Sequence, residues 1–160
     1  MTMNKNTTIK DQLKINGIAH IALNVSNLNR SKQFYDKILP KLGLVLVHSS
    51  ANSFYYVGGK TGLLFQRPIT NKKKSYFSQS NIGLHHFCFR MRSKKAIDKF
   101  YLILKKNKVK IIRGPIVGGW VPGYYYIVFE DPDKIRLEVN YVPKQGVFEK
   151  NVSFNPLDDY

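Results

Sequence analysis

Hydrophobic and polar positions alternate along two similar stretches of this chain. The first is His20-Ile21-Ala22-Leu23-Asn24-Val25 and the second is His86-Phe87-Cys88-Phe89-Arg90-Met91. Alternation with a period of two marks a half-buried strand. Each stretch is followed by a run with helical spacing. From Asn29 to Leu39, Phe34, Tyr35 and Ile38 fall on one face, with Asn27 or Asn29 able to cap the first turn and Pro40 ending the helix. From Ser93 to Lys106 the apolar face is Ile97, Phe100, Tyr101 and Leu104, with Ser93 as the cap.

The rest of each half reads as strands. In the first half these are Leu42 to His48, Ser53 to Val57 and Gly62 to Arg67, with a turn at Gly58-Gly59 and a stop at Pro68. In the second, Val109 to Arg113 precedes a Gly/Pro-rich loop from Gly114 to Gly123. Tyr124 to Phe129 and Ile135 to Asn140 then make a hairpin around Asp131-Pro132-Asp133-Lys134. The order βαβββ occurs twice, which predicts an α+β fold of two modules whose curved mixed sheets pair to enclose a metal and substrate cavity. The expected boundaries are an N-terminal arm over 1–14, a first module over 15–68, a basic linker over 69–81, a second module over 82–143 and a tail over 144–160.

Composition changes this picture little. At 43% hydrophobic residues the chain can bury one good core or two half-size modules sharing one. The net charge of +16 would suit a nucleic-acid binder. The lysines are scattered, however, with one run at Lys72-Lys73-Lys74, and only six residues are arginine, the side chain best suited to bidentate readout of bases. The charge therefore reads as solvated surface, and nucleic acid is not an expected partner. No apolar run is long enough to span a membrane. A single cysteine, Cys88, excludes an internal disulfide, and the polar N-terminus has no secretory character, so a cytoplasmic setting is expected.

The candidate chemistry follows from the repeat. A histidine at the same place in each copy suggests a site built from both halves. Glu138 lies in the last strand of the second half, and the corresponding place in the first falls near Gln66. His20, His86 and Glu138 could converge, with Gln66 as a possible fourth group. Two imidazoles and a carboxylate leave open positions on a divalent ion, which suits Fe and also admits Mn, Ni, Co or Zn. A lone strand histidine is ordinarily a satisfied structural residue, and His48 reads that way. The repeat register is what raises His20 and His86 above that reading. Strand alternation puts His85 and His86 on opposite faces. Register with His20 selects His86, and a slip of one residue would select His85.

With these residues the chain resembles the vicinal oxygen chelate superfamily, the group of glyoxalase I, extradiol dioxygenases, fosfomycin resistance proteins and bleomycin resistance proteins. The resemblance runs from Ile15 to Pro143. It is carried by HIALNVSNLNRSKQFYDKIL, GLHHFCFRMRSKKAIDKFY and, most specifically, PGYYYIVFEDPDKIRLEVNYVP. It implies His20, His86 and Glu138 as metal ligands, Glu138 also as the catalytic group, and Gln66 at the fourth ligand place of glyoxalase I-like members. Lys134 departs from the family's Asp-Pro-Asp-Gly turn and would sit at a positive φ. The family also implies that Tyr124 and Tyr126 face the cavity, with Phe54 and Tyr56 on an opposite wall, Arg136 sharing the face of Glu138, and Trp120 acting as a lid. The expected function is a divalent-metal-dependent lyase, isomerase or dioxygenase that chelates neighbouring oxygens of a small-molecule substrate, in a homodimer. The alternative is a metal-free, ligand-sequestering protein of the bleomycin-resistance type.

Overall fold

A computed structural model describes residues 15–69, 77–150, 152, 154 and 155. The arm over 1–14 lies outside them, as do most of the linker and parts of the tail. The first half contains β1 (Ile21–Asn24), α1 (Leu28–Ile38), β2 (Val45–Ser49), β3 (Ser53–Gly58) and β4 (Thr61–Gln66). The second contains β5 (Phe87–Arg90), α2 (Lys94–Lys106), β6 (Lys110–Val117), β7 (Tyr125–Glu130) and β8 (Arg136–Tyr141). Each half forms one open four-stranded sheet, in the orders β1-β4-β3-β2 and β5-β8-β7-β6. The first strand of each half pairs in parallel with the last, and the remaining pairs are antiparallel. The expected α+β fold of twin βαβββ modules is therefore observed. No helix among the described residues is long and apolar enough to cross a membrane.

Local chemistry explains most boundaries. Asn27 caps α1 by accepting from the Arg30 amide at 3.0 Å, and Ser93 caps α2 through the Ala96 amide at 3.1 Å. Chain direction after α1 is held by a 3-10 turn over Leu39–Leu42, so Pro40 continues the helical path for one turn before it stops. The β3–β4 hairpin turns at Gly59 and Lys60, one residue later than expected, with both at positive φ as a two-residue primed turn requires. β6 is longer than its pattern suggested. It runs through Gly114 and Pro115 to Val117, with register shifts on both sides of Arg113. Bulges of this kind let a strand accommodate proline.

One apolar core draws on both halves, including Tyr35, Ile38 and Phe65 from the first and Phe100, Phe129 and Leu137 from the second. A polar clasp joins them. Asp133 accepts from the Ser26 amide at 2.8 Å and the Ser26 hydroxyl at 2.5 Å, and pairs with Arg30 at 2.5 Å. Asp131 accepts from the Tyr35 hydroxyl at 2.9 Å and, at 2.8 Å each, from the amides of Asp133 and Ile135. The Asp-Pro-Asp-Lys turn of the second half thus docks on the first turns of α1. Lys134 takes the positive φ (66°) expected of that turn.

Candidate functional site

Strand parity sorts the second sheet into two faces. Phe87, Phe89, Leu137, Val139, Ile127 and Phe129 point into the shared core. Residues of the other parity, with Tyr124 just before β7, form a second face, where Tyr124, Tyr126, Val128 and Val121 make their own apolar cluster. Parallel pairing of β5 with β8 sets Cys88 beside Glu138 and Arg90 beside Asn140. His86 stands immediately before β5, as His20 does before β1, so both histidines fall at strand mouths rather than inside the ladders.

On this face lies a cavity of about 390 Å³. Its floor carries His86, Cys88, Tyr124, Glu138 and Asn140, with exposed Arg90 at the rim. Glu138 is fully buried. One carboxylate oxygen, Oε2, lies 3.2 Å from His86 Nε2. The other, Oε1, accepts from the Tyr124 hydroxyl and, at 3.3 Å, from Asn140 Nδ2, which also donates to the Tyr124 oxygen at 3.0 Å. A buried carboxylate survives in a protein when donors replace its lost hydration, and here three side chains do so. His86 Nδ1 lies 2.8 Å from His85 Nδ1, so the neighbouring ring orients the imidazole whose Nε2 faces Glu138.

Burial, followed by the bond to Glu138, pushes the Tyr124 phenol well above its usual range. Burial and then the Glu138 charge push the Cys88 thiol up as well. Cys88 is open to solvent through the cavity mouth yet closely surrounded, and it is a neutral thiol rather than an activated thiolate.

The other expected site residues are placed unevenly. Trp120 lines the cavity, its ring 6.2 Å from that of Tyr124. Tyr126 shares the face of Tyr124 but is buried beside it, accepting from Arg113 at 3.3 Å. Arg136 lies 3.9 Å from Glu130 and does not line the cavity. Phe54 and Tyr56 face α1 instead of a cavity wall: Phe54 stacks on Phe65 at 4.6 Å, and the Tyr56 hydroxyl donates to Asp36. Gln66 donates to Asn24 at 3.1 Å, and His20 is exposed. Neither is part of the cavity lining. Among the described residues of one chain, no three His, Cys, Asp or Glu side chains group to hold a metal ion. His86 and Glu138 do fit a divalent ion in donor type and separation, but they supply two donors where a mixed nitrogen–oxygen site needs at least one more.

Asn140 was not singled out from the sequence, although it lies two residues beyond Glu138 on the same strand face, which is the signal that finds it. Gln145, Val147, Phe148 and Phe154 also line the cavity, and they come from a tail without periodicity.

Known proteins place this architecture. The family model of the glyoxalase/bleomycin resistance protein/dioxygenase superfamily matches residues 17–139. The Bacillus subtilis protein YqjT, uncharacterized, is 26% identical over 123 residues, spanning 75% of this chain and 94% of its own. Metallothiol transferase FosB of Shouchella clausii is 29% identical over 126 residues, covering 79% of this chain and 80% of that protein. Among solved structures, a Bacillus halodurans protein whose glyoxalase assignment is provisional superposes with a TM-score of 0.70 at 30% identity, over 78% of this chain and 95% of the other. Lactoylglutathione lyase of Agrobacterium tumefaciens shares the fold, with a TM-score of 0.59 at 20% identity over 79% and 94% of the two chains. This chain belongs to the glyoxalase/bleomycin resistance protein/dioxygenase superfamily.

Proposed function

We infer that this protein is a divalent-metal-dependent enzyme acting on a small molecule, with His86 and Glu138 as two of its metal ligands. The observation that carries this reading is a fully buried carboxylate facing an imidazole nitrogen at 3.2 Å on the floor of a cavity. A carboxylate buried in a cleft beside an imidazole is costly to place there and marks a candidate functional site. Relatives named metallothiol transferase and lactoylglutathione lyase support metal-assisted chemistry on small substrates.

The remaining donors are His20 and Gln66, on the face of the first sheet turned away from the shared core. Val45, Val47 and Val57 on the same half are exposed, which suits an apolar contact with a second copy. A homodimer in which one copy's His20 and Gln66 meet the other's His86 and Glu138 completes the set. The ion, one of Fe, Mn, Ni, Co or Zn, would polarise neighbouring oxygens of the substrate. The chain's own groups have separate tasks. Tyr124, held protonated, is a hydrogen-bond donor and not a base. Glu138 Oε1, once Tyr124 turns to a substrate oxygen, is the atom that can accept a proton. Arg90 supplies positive charge at the rim, and Trp120 limits water entry.

A metal-free, ligand-sequestering protein is the competing reading, favoured by the way Tyr124 and Asn140 already satisfy Glu138. Elemental analysis of protein prepared without chelator separates the two. About one equivalent of metal per chain, lost in His86→Ala and Glu138→Gln, supports the enzyme. A wild type that neither carries nor takes up these ions sinks it.

A further inference from the structure

The cavity over Glu138 has two unlike parts. Its floor is polar and comes from strands. Apart from Gln145 and Gly146, the rest of the lining is apolar: Trp120, Val121, Val142, Val147, Phe148 and Phe154. The last four lie beyond residue 139, where the family match ends. This wall is anchored, since the rings of Trp120 and Phe154 meet edge to face at 5.4 Å and the Asn155 amide donates to the Trp120 carbonyl at 3.2 Å. Even so, Phe148 is 82% exposed, Phe154 51% and Val147 47%. Large apolar side chains gathered at the rim of a cavity mark a surface that something apolar covers. The volume lies in the range of clefts that take ligands with an apolar body and few polar groups. A ligand of two or three carbons touching only His86 and Glu138 would leave that wall without a ligand contact.

We propose that the ligand of this cavity has a flat, apolar body as well as a polar head, and that Phe148 and Phe154 select it. The head meets the His86–Glu138 pair, and for that part alone the assignment rests on the function inferred above. The body lies against Trp120 and the two phenylalanines, whose faces offer ring stacking that is tolerant of exact ring identity. Because these two residues come from the segment after the family match, selectivity set by them can vary on a shared scaffold.

The test is calorimetric titration of the full chain with 2,3-dihydroxynaphthalene, which joins two fused rings to adjacent oxygens, and with hydroxyacetone, which has adjacent oxygens and three carbons. Both are run on Mn²⁺-treated and on chelator-treated protein. The naphthalene diol is expected to bind at least about 100-fold tighter. The Phe148→Ala/Phe154→Ala double variant is expected to weaken it by about tenfold or more, with Mn²⁺ uptake and hydroxyacetone binding unchanged. Both side chains are at least half exposed, so the variant keeps its fold. Trp120 is the sole tryptophan, so quenching of its emission locates the diol at this wall. Equal affinities for the two probes, unquenched Trp120, or indifference to the double substitution would overturn the proposal. Phenylalanine-dependent diol binding in protein that takes up no Mn²⁺ would sustain it while removing the metal reading.

Discussion

Glu138 and Tyr124 are coupled through a single buried hydrogen bond, and the consequence is measurable one residue at a time. Tyr124→Phe removes a hydroxyl that donates to a carboxylate with no solvent contact. A buried polar group left short of a hydrogen-bond partner costs about 1–3 kcal/mol. The expected result is a matching fall in unfolding free energy by urea titration. An unchanged midpoint would mean that Tyr124 only packs. Asn140→Leu should act in the same direction, since it takes away the second donor to Glu138 Oε1.

At the scale of elements, the Asp131–Lys134 turn carries two opposing effects. Lys134 sits at φ 66°, where a side chain is strained by about 1 kcal/mol relative to glycine. Lys134→Gly is therefore expected to raise the melting temperature by a few degrees. Asp131 is buried, and desolvation lifts its carboxyl to about 6 despite the amide and Tyr35 donors that oppose the shift. In the unfolded chain it titrates near 3.9. Between those values the folded state holds the proton and the unfolded state does not, so this group's stabilising contribution is full below about pH 4 and is lost as pH rises through about 6. The loss amounts to roughly 3 kcal/mol at most. Unfolding free energies measured from pH 4 to 7 should show that downward slope in the wild type and lose it in Asp131→Asn. β6 offers a second test. Gly114 has φ 88°, and a Cβ there would lie 2.3 Å from the Tyr126 carbonyl oxygen. Gly114→Ala should cost about 2 kcal/mol or more and displace the strand that carries Arg113.

For the whole molecule, the inferred metal centre spans two copies, and mixing variants can detect this. His20→Ala and Glu138→Gln each remove one ligand of every site in their own homodimers. Unfolded together and refolded at equal amounts, they would form heterodimers with one doubly damaged and one intact site. Metal uptake should recover to about one quarter of the wild-type value, given random pairing. No recovery would place His20 outside the site or inside a single-chain one. The inference is consistent with a shared core that locks the two halves together through their helices, leaving the outward face of the first sheet open to a partner.

How much of this was readable beforehand depended on the range of the interaction. Periodicity reports a residue's local surroundings, so both βαβββ units, the Ser93 and Asn27 caps, and the division of β5, β7 and β8 into two faces were all legible. So was the grouping of His86, Cys88 and Glu138 on one side. Periodicity does not say which side of a sheet receives the helix. Phe54 and Tyr56 have consistent parity, yet α1 packs on their side, and they are core instead of cavity wall. Duplication likewise assigns His20 and His86 equivalent places without bringing them near one another, because the modules join through helices and a turn. The tail wall of Phe148 and Phe154 had no periodic signal at all. The sequence by itself determined the elements, their faces and the types of donor, because these depend on backbone geometry and near neighbours. Only the tertiary structure decided which donors meet, which aromatic residues enclose the cavity and which face stays open, because contacts between distant segments depend on how whole sheets and helices pack.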